Sequence, residues 1–252
     1  MTYSPNLENK IALITGGGSG IGLASARAMI KQGARVIITG RDLSKLQKAC
    51  AELGPQASVM VVDVTSLDSL SRLMTEIKER VGLIDIVFAN AGHGIFKSFG
   101  KFTEEDFHQQ VDTNFKGVFF TLQKSLPLIR PGGTMLINAS WTRHRPMGSA
   151  ALYAATKAAV ANLAQSLAAE LADKAIRVNA ISPGYVNTPL FNEEMLPADE
   201  ARRRREEVPL SRFANGDEIG EVVAFLAGPG AAYINGQDLL IDGGMVKSKM
   251  ES

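Results

Sequence analysis

The chain has 252 residues, 45% of them apolar, with 27 Lys and Arg against 26 Asp and Glu for a net charge of +1. That length suits one α/β domain or two small ones, and the near-neutral balance gives no field to draw nucleic acid or an anionic lipid surface. No apolar run approaches the roughly 18 residues of a bilayer span, the polar start Met1–Asn9 carries no signal-peptide core, and the single cysteine, Cys50, excludes an internal disulfide, so the expected residence is cytoplasmic.

The first strand-type run, Lys10 to Thr15, leads into Gly16-Gly17-Gly18-Ser19-Gly20-Ile21-Gly22 and a helix near 20–32. A second strand follows at 34–39. Strand, glycine turn, helix, strand is the unit that binds dinucleotides, because glycines let the backbone approach a pyrophosphate and the helix start offers free N–H groups. The strict G-x-G-x-x-G spacing is absent, and a Walker loop is excluded because Leu23-Ala24 follows Gly22. Further strands are expected at 58–63, 84–90, 133–139, 176–182 and 237–241. Further helices are expected near 42–53, 67–80, 104–129, 150–173, 190–206 and 216–227. Continuously apolar strands such as Val59 to Val62 and Ile84 to Phe88 are those buried on both faces. The fold expected is therefore α/β, a doubly wound seven-stranded parallel sheet with helices on both faces. No linker or repeat interrupts residues 1–252, which read as one domain, and Pro131-Gly132-Gly133 reads as a turn before a strand.

Within the Ala-rich helix near 150–173, Tyr153, Lys157, Val160, Ala164, Leu167 and Leu171 share one stripe. An ammonium on an apolar stripe is anomalous. One reading is a snorkelling Lys157 beside a core aromatic Tyr153. The other is a phenol and an ammonium side by side at a cleft, where the cation lowers the phenol pKa and Tyr153 acts as general acid and base.

The pattern Thr15-Gly16-x-x-x-Gly20-x-Gly22, followed in order by Asn90-Ala91-Gly92, Asn114, Ser140, Tyr153-x-x-x-Lys157 and Pro183-Gly184, resembles the short-chain dehydrogenase/reductase family, from about residue 8 to Gly244. The resemblance implies a Rossmann fold and hydride transfer between a nicotinamide cofactor and a carbonyl or alcohol substrate. It assigns catalysis to Asn114, Ser140, Tyr153 and Lys157. Ser140 would bond the substrate oxygen, Lys157 would also bond the nicotinamide ribose, and Asn114 would link Lys157 to solvent. The other reading of Asn114 is a helix-distorting polar residue. The cofactor would lie along Thr15, Gly16, Gly18, Ser19, Gly20, Ile21 and Gly22, with Asp63 and Val64 at its adenine and Asn90, Ala91 and Gly92 over its adenosine side. Tyr153, Lys157, Pro183, Gly184, Val186 and Thr188 would take its nicotinamide end. The family usually has a second asparagine where Ala89 stands.

Gly40 and Arg41 decide the cofactor. An acid near the end of the second strand would bind a ribose 2′-hydroxyl, whereas here Gly40 takes that place and the Arg41 guanidinium suits a 2′-phosphate. NADP(H) is favoured and NAD(H) is the alternative, with Asp42 read as a helix cap. His93, Trp141, Tyr185 and Phe191 are the expected substrate walls, with a lid near 187–212. Their apolar character suits a hydrophobic or aromatic carbonyl, while Arg143, His144 and Arg145 would suit an anionic one if they faced inward. The run Arg202 to Arg205, flanked by acids, reads as a solvated helix face. No His or Cys spacing suits a metal. A homotetramer or homodimer is expected by resemblance. A non-catalytic NADP(H)-binding regulator and an NAD-dependent alcohol dehydrogenase are the alternative functions.

Overall fold

A computed structural model describes residues 6–189 and 191–247. Residues 1–5 of the polar start, and Leu190, where the lid helix was expected to begin, lie outside the described residues.

Seven strands form one parallel sheet: β1 (Ile11–Thr15), β2 (Arg35–Gly40), β3 (Ala57–Val61), β4 (Ile84–Ala89), β5 (Ile129–Asn138), β6 (Arg177–Pro183) and β9 (Asp238–Ile241). Their order is β3-β2-β1-β4-β5-β6-β9. The doubly wound sheet expected from the sequence is thus the one observed. Strand order reverses between β1 and β4, which opens a crevice beyond their carboxyl ends. A short parallel pair, β7 (Val186–Asn187) with β8 (Ala214–Asn215), stands apart from the sheet. Two-residue strands carry no periodicity, so no sequence pattern announced them.

Alternate residues of each strand enter opposite layers. Ile11 and Leu13 of β1 join the core under α3 (Leu67–Arg80), α5 (Gly117–Ser125) and α6 (Ala151–Glu170). Ala12 and Ile14 join the other core, under α1 (Gly20–Lys31), α2 (Leu43–Leu53) and α8 (Gly216–Ala227). Side-chain caps start several helices. Asp42 accepts from the Lys45 N–H at the start of α2, as the sequence suggested, and Asn215 with Glu218 forms a capping box on α8. No described helix is long and apolar enough to cross a membrane.

Three expected elements differ. The helix read at 104–129 is broken into α4 (Glu104–Val111), a π-type turn at Asp112–Lys116, α5 and a 3-10 turn at Leu126–Leu128. The break lies where Asn114 turns inward to bond a neighbouring loop, the kind of demand that produces a π-bulge. Pro131-Gly132-Gly133 lies inside β5 as an irregularity, since Ile84 pairs with Ile129 but Ile86 pairs with Thr134. The helix read at 190–206 shrinks to α7 (Ala198–Glu206), because Pro197 occupies its N-cap and only a short turn at Glu193–Met195 precedes it.

Candidate active site

A cleft of about 990 Å³ crosses the carboxyl ends of the strands, running from Gly40, Arg41 and Lys45 to Thr188 and Phe191. One side is the glycine turn. Gly16 adopts φ +65°, a left-handed conformation that favours glycine. A Cβ on Gly22 would fall 2.3 Å from the Gly16 carbonyl oxygen, so no larger residue fits at the first turn of α1. The Ser19 side chain makes no capping bond there, which leaves the helix start without a side-chain acceptor.

Behind this turn stands a network of short polar links. The Thr15 Oγ1 accepts from the Asn90 and Ala91 N–H groups, both at 3.0 Å. The Asn90 Nδ2 donates to the Thr15 and Gly16 carbonyls, and the Asn138 Nδ2 donates to the Asn90 Oδ1. Gly16, Ser19, Gly20 and Ile21 line the cleft, as do Asn90, Ala91 and Gly92. Thr15, Gly18 and Gly22 do not. The Thr15 side chain is turned into the protein, 1% exposed, where it pegs β1 to the start of the next loop. Ala89, the departure noted in the sequence, is buried in β4.

At the second strand end, Arg41 is exposed and makes no ion pair among the described residues. Lys45, which sequence reasoning missed, joins it on the cleft wall. Its signal was available, since a helix begun at Asp42 carries position 45 in its first turn. Asp63 and Val64 also line this end. The Asp63 Oδ1 is occupied by the Thr65 N–H at 2.9 Å and the Thr65 hydroxyl at 2.8 Å, so the carboxylate shapes the turn.

Ser140, Tyr153 and Lys157 converge on the cleft. The Ser140 Oγ accepts from the Thr142 N–H and hydroxyl. Lys157 is 3% exposed, and its Nζ donates to the Asn138 carbonyl at 2.7 Å and lies 5.7 Å from the centroid of the Tyr153 ring. Burial pulls the ammonium pKa down to about 8. The expectation that the Tyr153 pKa is lowered is corrected here. Burial raises it, and the Ser140 hydroxyl opposes that shift only in part. Removing water from a phenolate outweighs its neighbours, and the cation meant to help it is itself weakened by desolvation.

Asn114 has the place of the helix-distorting reading, and no bond joins it to Lys157 among the described residues. It sits in the π-type turn, fully buried, outside the cleft lining. Its Oδ1 accepts from the His93 N–H at 2.8 Å, and its Nδ2 donates to the His93 carbonyl and the Thr156 hydroxyl. The Thr156 hydroxyl in turn donates to the Tyr153 carbonyl. Asn114 therefore clamps a cleft loop to α6, while the Lys157 ammonium bonds Asn138 instead.

His93, Trp141, Tyr185 and Phe191 all line the cleft. Burial first, then the Arg41 charge, lowers the His93 pKa, so its ring is neutral at pH 7. Tyr185 meets Trp141 edge-on at 5.4 Å and stacks on Phe213 at 5.0 Å. Phe96 packs 5.3 Å from the Tyr153 ring. Pro183, Gly184 and Val186 line the opposite wall with Thr188. The Thr188 N–H donates to the Phe191 carbonyl at 2.7 Å, and its Oγ1 accepts from the Phe191 N–H. Arg143, His144 and Arg145 do not line the cleft. Arg143 and His144 pair with the buried Asp238, and Arg145 pairs with Glu207. Arg204 does line it, against the reading of its helix as wholly solvated. Among the described residues no three His, Cys, Asp or Glu side chains cluster closely enough to hold a metal.

The cleft fits a dinucleotide: a left-handed glycine turn against an uncapped helix start, two cations at one end and a Ser-Tyr-Lys group at the other. Residues 16–246 match the family described as enoyl-(acyl carrier protein) reductase. The chain is 37% identical to oxidoreductase asL5 of Sarocladium schorii, over 98% of this chain and all of that one. It is similar to the crystal structure of a short-chain dehydrogenase/reductase from Brucella melitensis, with TM-score 0.92, 30% identity, and 98% and 100% of the two chains covered. It is also similar to actinorhodin polyketide ketoreductase solved with NADPH, with TM-score 0.90, 32% identity, and 95% and 98% covered.

Proposed function

The chain belongs to the short-chain dehydrogenase/reductase family and is an oxidoreductase, and from that premise we propose that it reduces apolar or aromatic ketones and aldehydes with NADPH. It runs in reverse as an alcohol dehydrogenase. The observation that carries this reading is the convergence of Ser140, Tyr153 and a buried Lys157, without an ion pair among the described residues, on a cleft that begins at the glycine turn.

Bound NADPH supplies the hydride. The Ser140 hydroxyl holds the substrate oxygen beside the Tyr153 hydroxyl. Because burial keeps its pKa high, the phenol is protonated at neutral pH and ready to donate to that oxygen. In alcohol oxidation it takes the proton back. Lys157 places a nearby positive charge that favours the phenolate once formed, and binds the ribose of the cofactor. Asn114 acts through the His93 backbone and α6, holding the wall against which the substrate rests. General acid–base help of this kind is worth about 10²–10⁴-fold.

NADPH is preferred because Arg41 and Lys45 stand at the second strand end where an acid would select NADH. The Trp141, Tyr185 and Phe191 walls support the substrate class, and the similarity to a polyketide ketoreductase supports carbonyl reduction. Residues 187–212 act as the lid of a single domain spanning 1–252. The protein works in the cytoplasm, in keeping with its one free cysteine, as a homotetramer or homodimer. Exposed Phe107 and Phe115 next to α6 support that association.

The test is NADPH and NADH absorbance with a panel of ketones, aldehydes and quinones that includes bicyclic aromatics. Oxidation of NADPH by an aromatic member is the expected result. Tight NADPH binding without oxidation by any member would overturn the reading in favour of a regulator.

A further inference from the structure

Four consecutive arginines occupy α7, and one of them is unlike the rest. The side chains of Arg202 and Arg203 are 69% and 66% exposed, and that of Arg204 is 18% exposed. Successive helix positions differ by 100° in direction, so Arg204 points inward where its neighbours point out. Its guanidinium lies over the Tyr185 ring at 5.4 Å and the Phe191 ring at 5.3 Å. Its Nε and Nη2 both donate to one oxygen of Glu200, at 3.0 and 2.6 Å. Its Nη1 has no hydrogen-bond partner among the described residues. Nη1 is not sealed from solvent, so its N–H groups stay open to an incoming acceptor.

Arg204 also lies where two spaces meet. A side cavity of about 290 Å³ shares Trp141, Met147, Tyr185 and Arg204 with the main cleft. The side cavity is also lined by Arg145, Arg203, Glu200 and Glu207; Arg145 pairs with Glu207, Arg203 with Asp199, and nearby Arg143 with Asp238. Of these arginines Arg204 alone also lines the main cleft.

We propose that Arg204 determines specificity by receiving an acidic oxygen, a carboxylate or ionised hydroxyl, at the far end of an aromatic carbonyl substrate. The inference rests on the reductase reading for the position of the reacting carbonyl at Tyr153. The ring of the substrate runs along Trp141, Tyr185 and Phe191, and its acidic group reaches the open Nη1 edge at the mouth of the side cavity. A guanidinium already positioned by Glu200 and two aromatic rings loses little freedom on binding, which favours a directed charge-assisted bond.

Trp141, the single tryptophan of the chain, lines both spaces, so its fluorescence reports binding without any turnover. The probes are a tetralone carrying a ring carboxylate and its methyl ester. The parent protein is expected to bind the carboxylate about tenfold more tightly than the ester, a typical effect of one charged hydrogen bond. Arg204→Met is expected to abolish that difference with little change for the ester. Glu200→Gln, which frees the guanidinium, is expected to widen it, and this variant decides the matter if Arg204→Met does not fold. Equal affinities in the parent, a preference that survives Arg204→Met, or no widening in Glu200→Gln would overturn the proposal. Charge-selective quenching without reduction of either probe sustains the role of Arg204 and sinks the reductase reading. Reduction of both without charge preference does the opposite.

Discussion

The Lys157 ammonium is bonded to a neutral acceptor, the Asn138 carbonyl at 2.7 Å, and to no carboxylate among the described residues. At 3% exposure it has lost most of its water without gaining a counter-charge. Such a group is costly to keep in a folded protein. Its place on α6 beside Tyr153 is what the proposed chemistry calls for, at the expense of stability.

Lys157→Met is expected to stabilise the protein while removing activity. The Lys157 pKa falls from 10.5 to about 8 on folding, which amounts to about 3 kcal/mol of penalty when the group is charged in both states. Loss of the Asn138 bond offsets part of the gain, leaving about 1–3 kcal/mol at pH 7. The sign with pH follows from proton counts. Between about pH 8 and 10.5 the unfolded chain binds more protons at this site, so parent stability from this group rises with pH. The variant's advantage is constant below that window and fades across it. Urea unfolding of both proteins at several pH values checks this, and a less stable variant at neutral pH would contradict it.

Much of this site was legible because its signals are local. The anomaly of Lys157 on an apolar stripe, the glycine turn and the apolar strands all lie within short windows. The residues misread are those whose partners are distant in sequence. Thr15 bonds the backbone 75 and 76 residues away, so its role as a peg carried no local mark. Asn114 breaks a helix to reach His93, 21 residues earlier. Arg204 lies in a charged run that reads as solvent-facing, and only the folded positions of Tyr185 and Phe191 turn it inward. The Tyr153 pKa was misjudged for the same reason. Spacing reveals a neighbouring charge but not the depth at which both groups lie.

Tyr153→Phe removes only the hydroxyl from a partly buried ring that packs on Phe96. Turnover is expected to fall by about 10²–10⁴-fold, with cofactor affinity nearly unchanged. The raised phenol pKa also sets the parent's pH profile. Carbonyl reduction needs the protonated phenol and stays level through neutral pH. Alcohol oxidation needs the phenolate and climbs with pH. Steady-state rates in both directions across pH test this, and a variant retaining a tenth of parent activity would remove Tyr153 from its role.

Thr15→Val keeps the shape of the side chain and deletes the acceptor for two backbone N–H groups. Both donors are left unpaired in a part-buried site, at a cost of up to about 1–3 kcal/mol each. A loss of about 2–5 kcal/mol is expected in urea unfolding. Because the Thr15 side chain faces away from the cleft, NADPH affinity of the folded fraction should change little. Weaker binding at full stability would restore Thr15 as a direct ligand.

Arg41→Asp tests the cofactor end by reversing one charge. Arg41 is exposed, unpaired among the described residues and four positions from Lys45, so the parent presents two cations to a 2′-phosphate. Substitution removes one charge-assisted contact and adds repulsion between the new carboxylate and that phosphate. The ratio of kcat/KM for NADPH over NADH is expected to fall at least tenfold, an effect of about 1.4 kcal/mol or more. Lys45→Ala should move the same ratio in the same direction by less, since a lysine on an exposed helix turn is a solvated point charge. Raising salt should weaken NADPH binding to the parent more than NADH binding, and that difference should shrink in Arg41→Asp. Equal kcat/KM for the two cofactors in the parent would show that neither cation reads the phosphate.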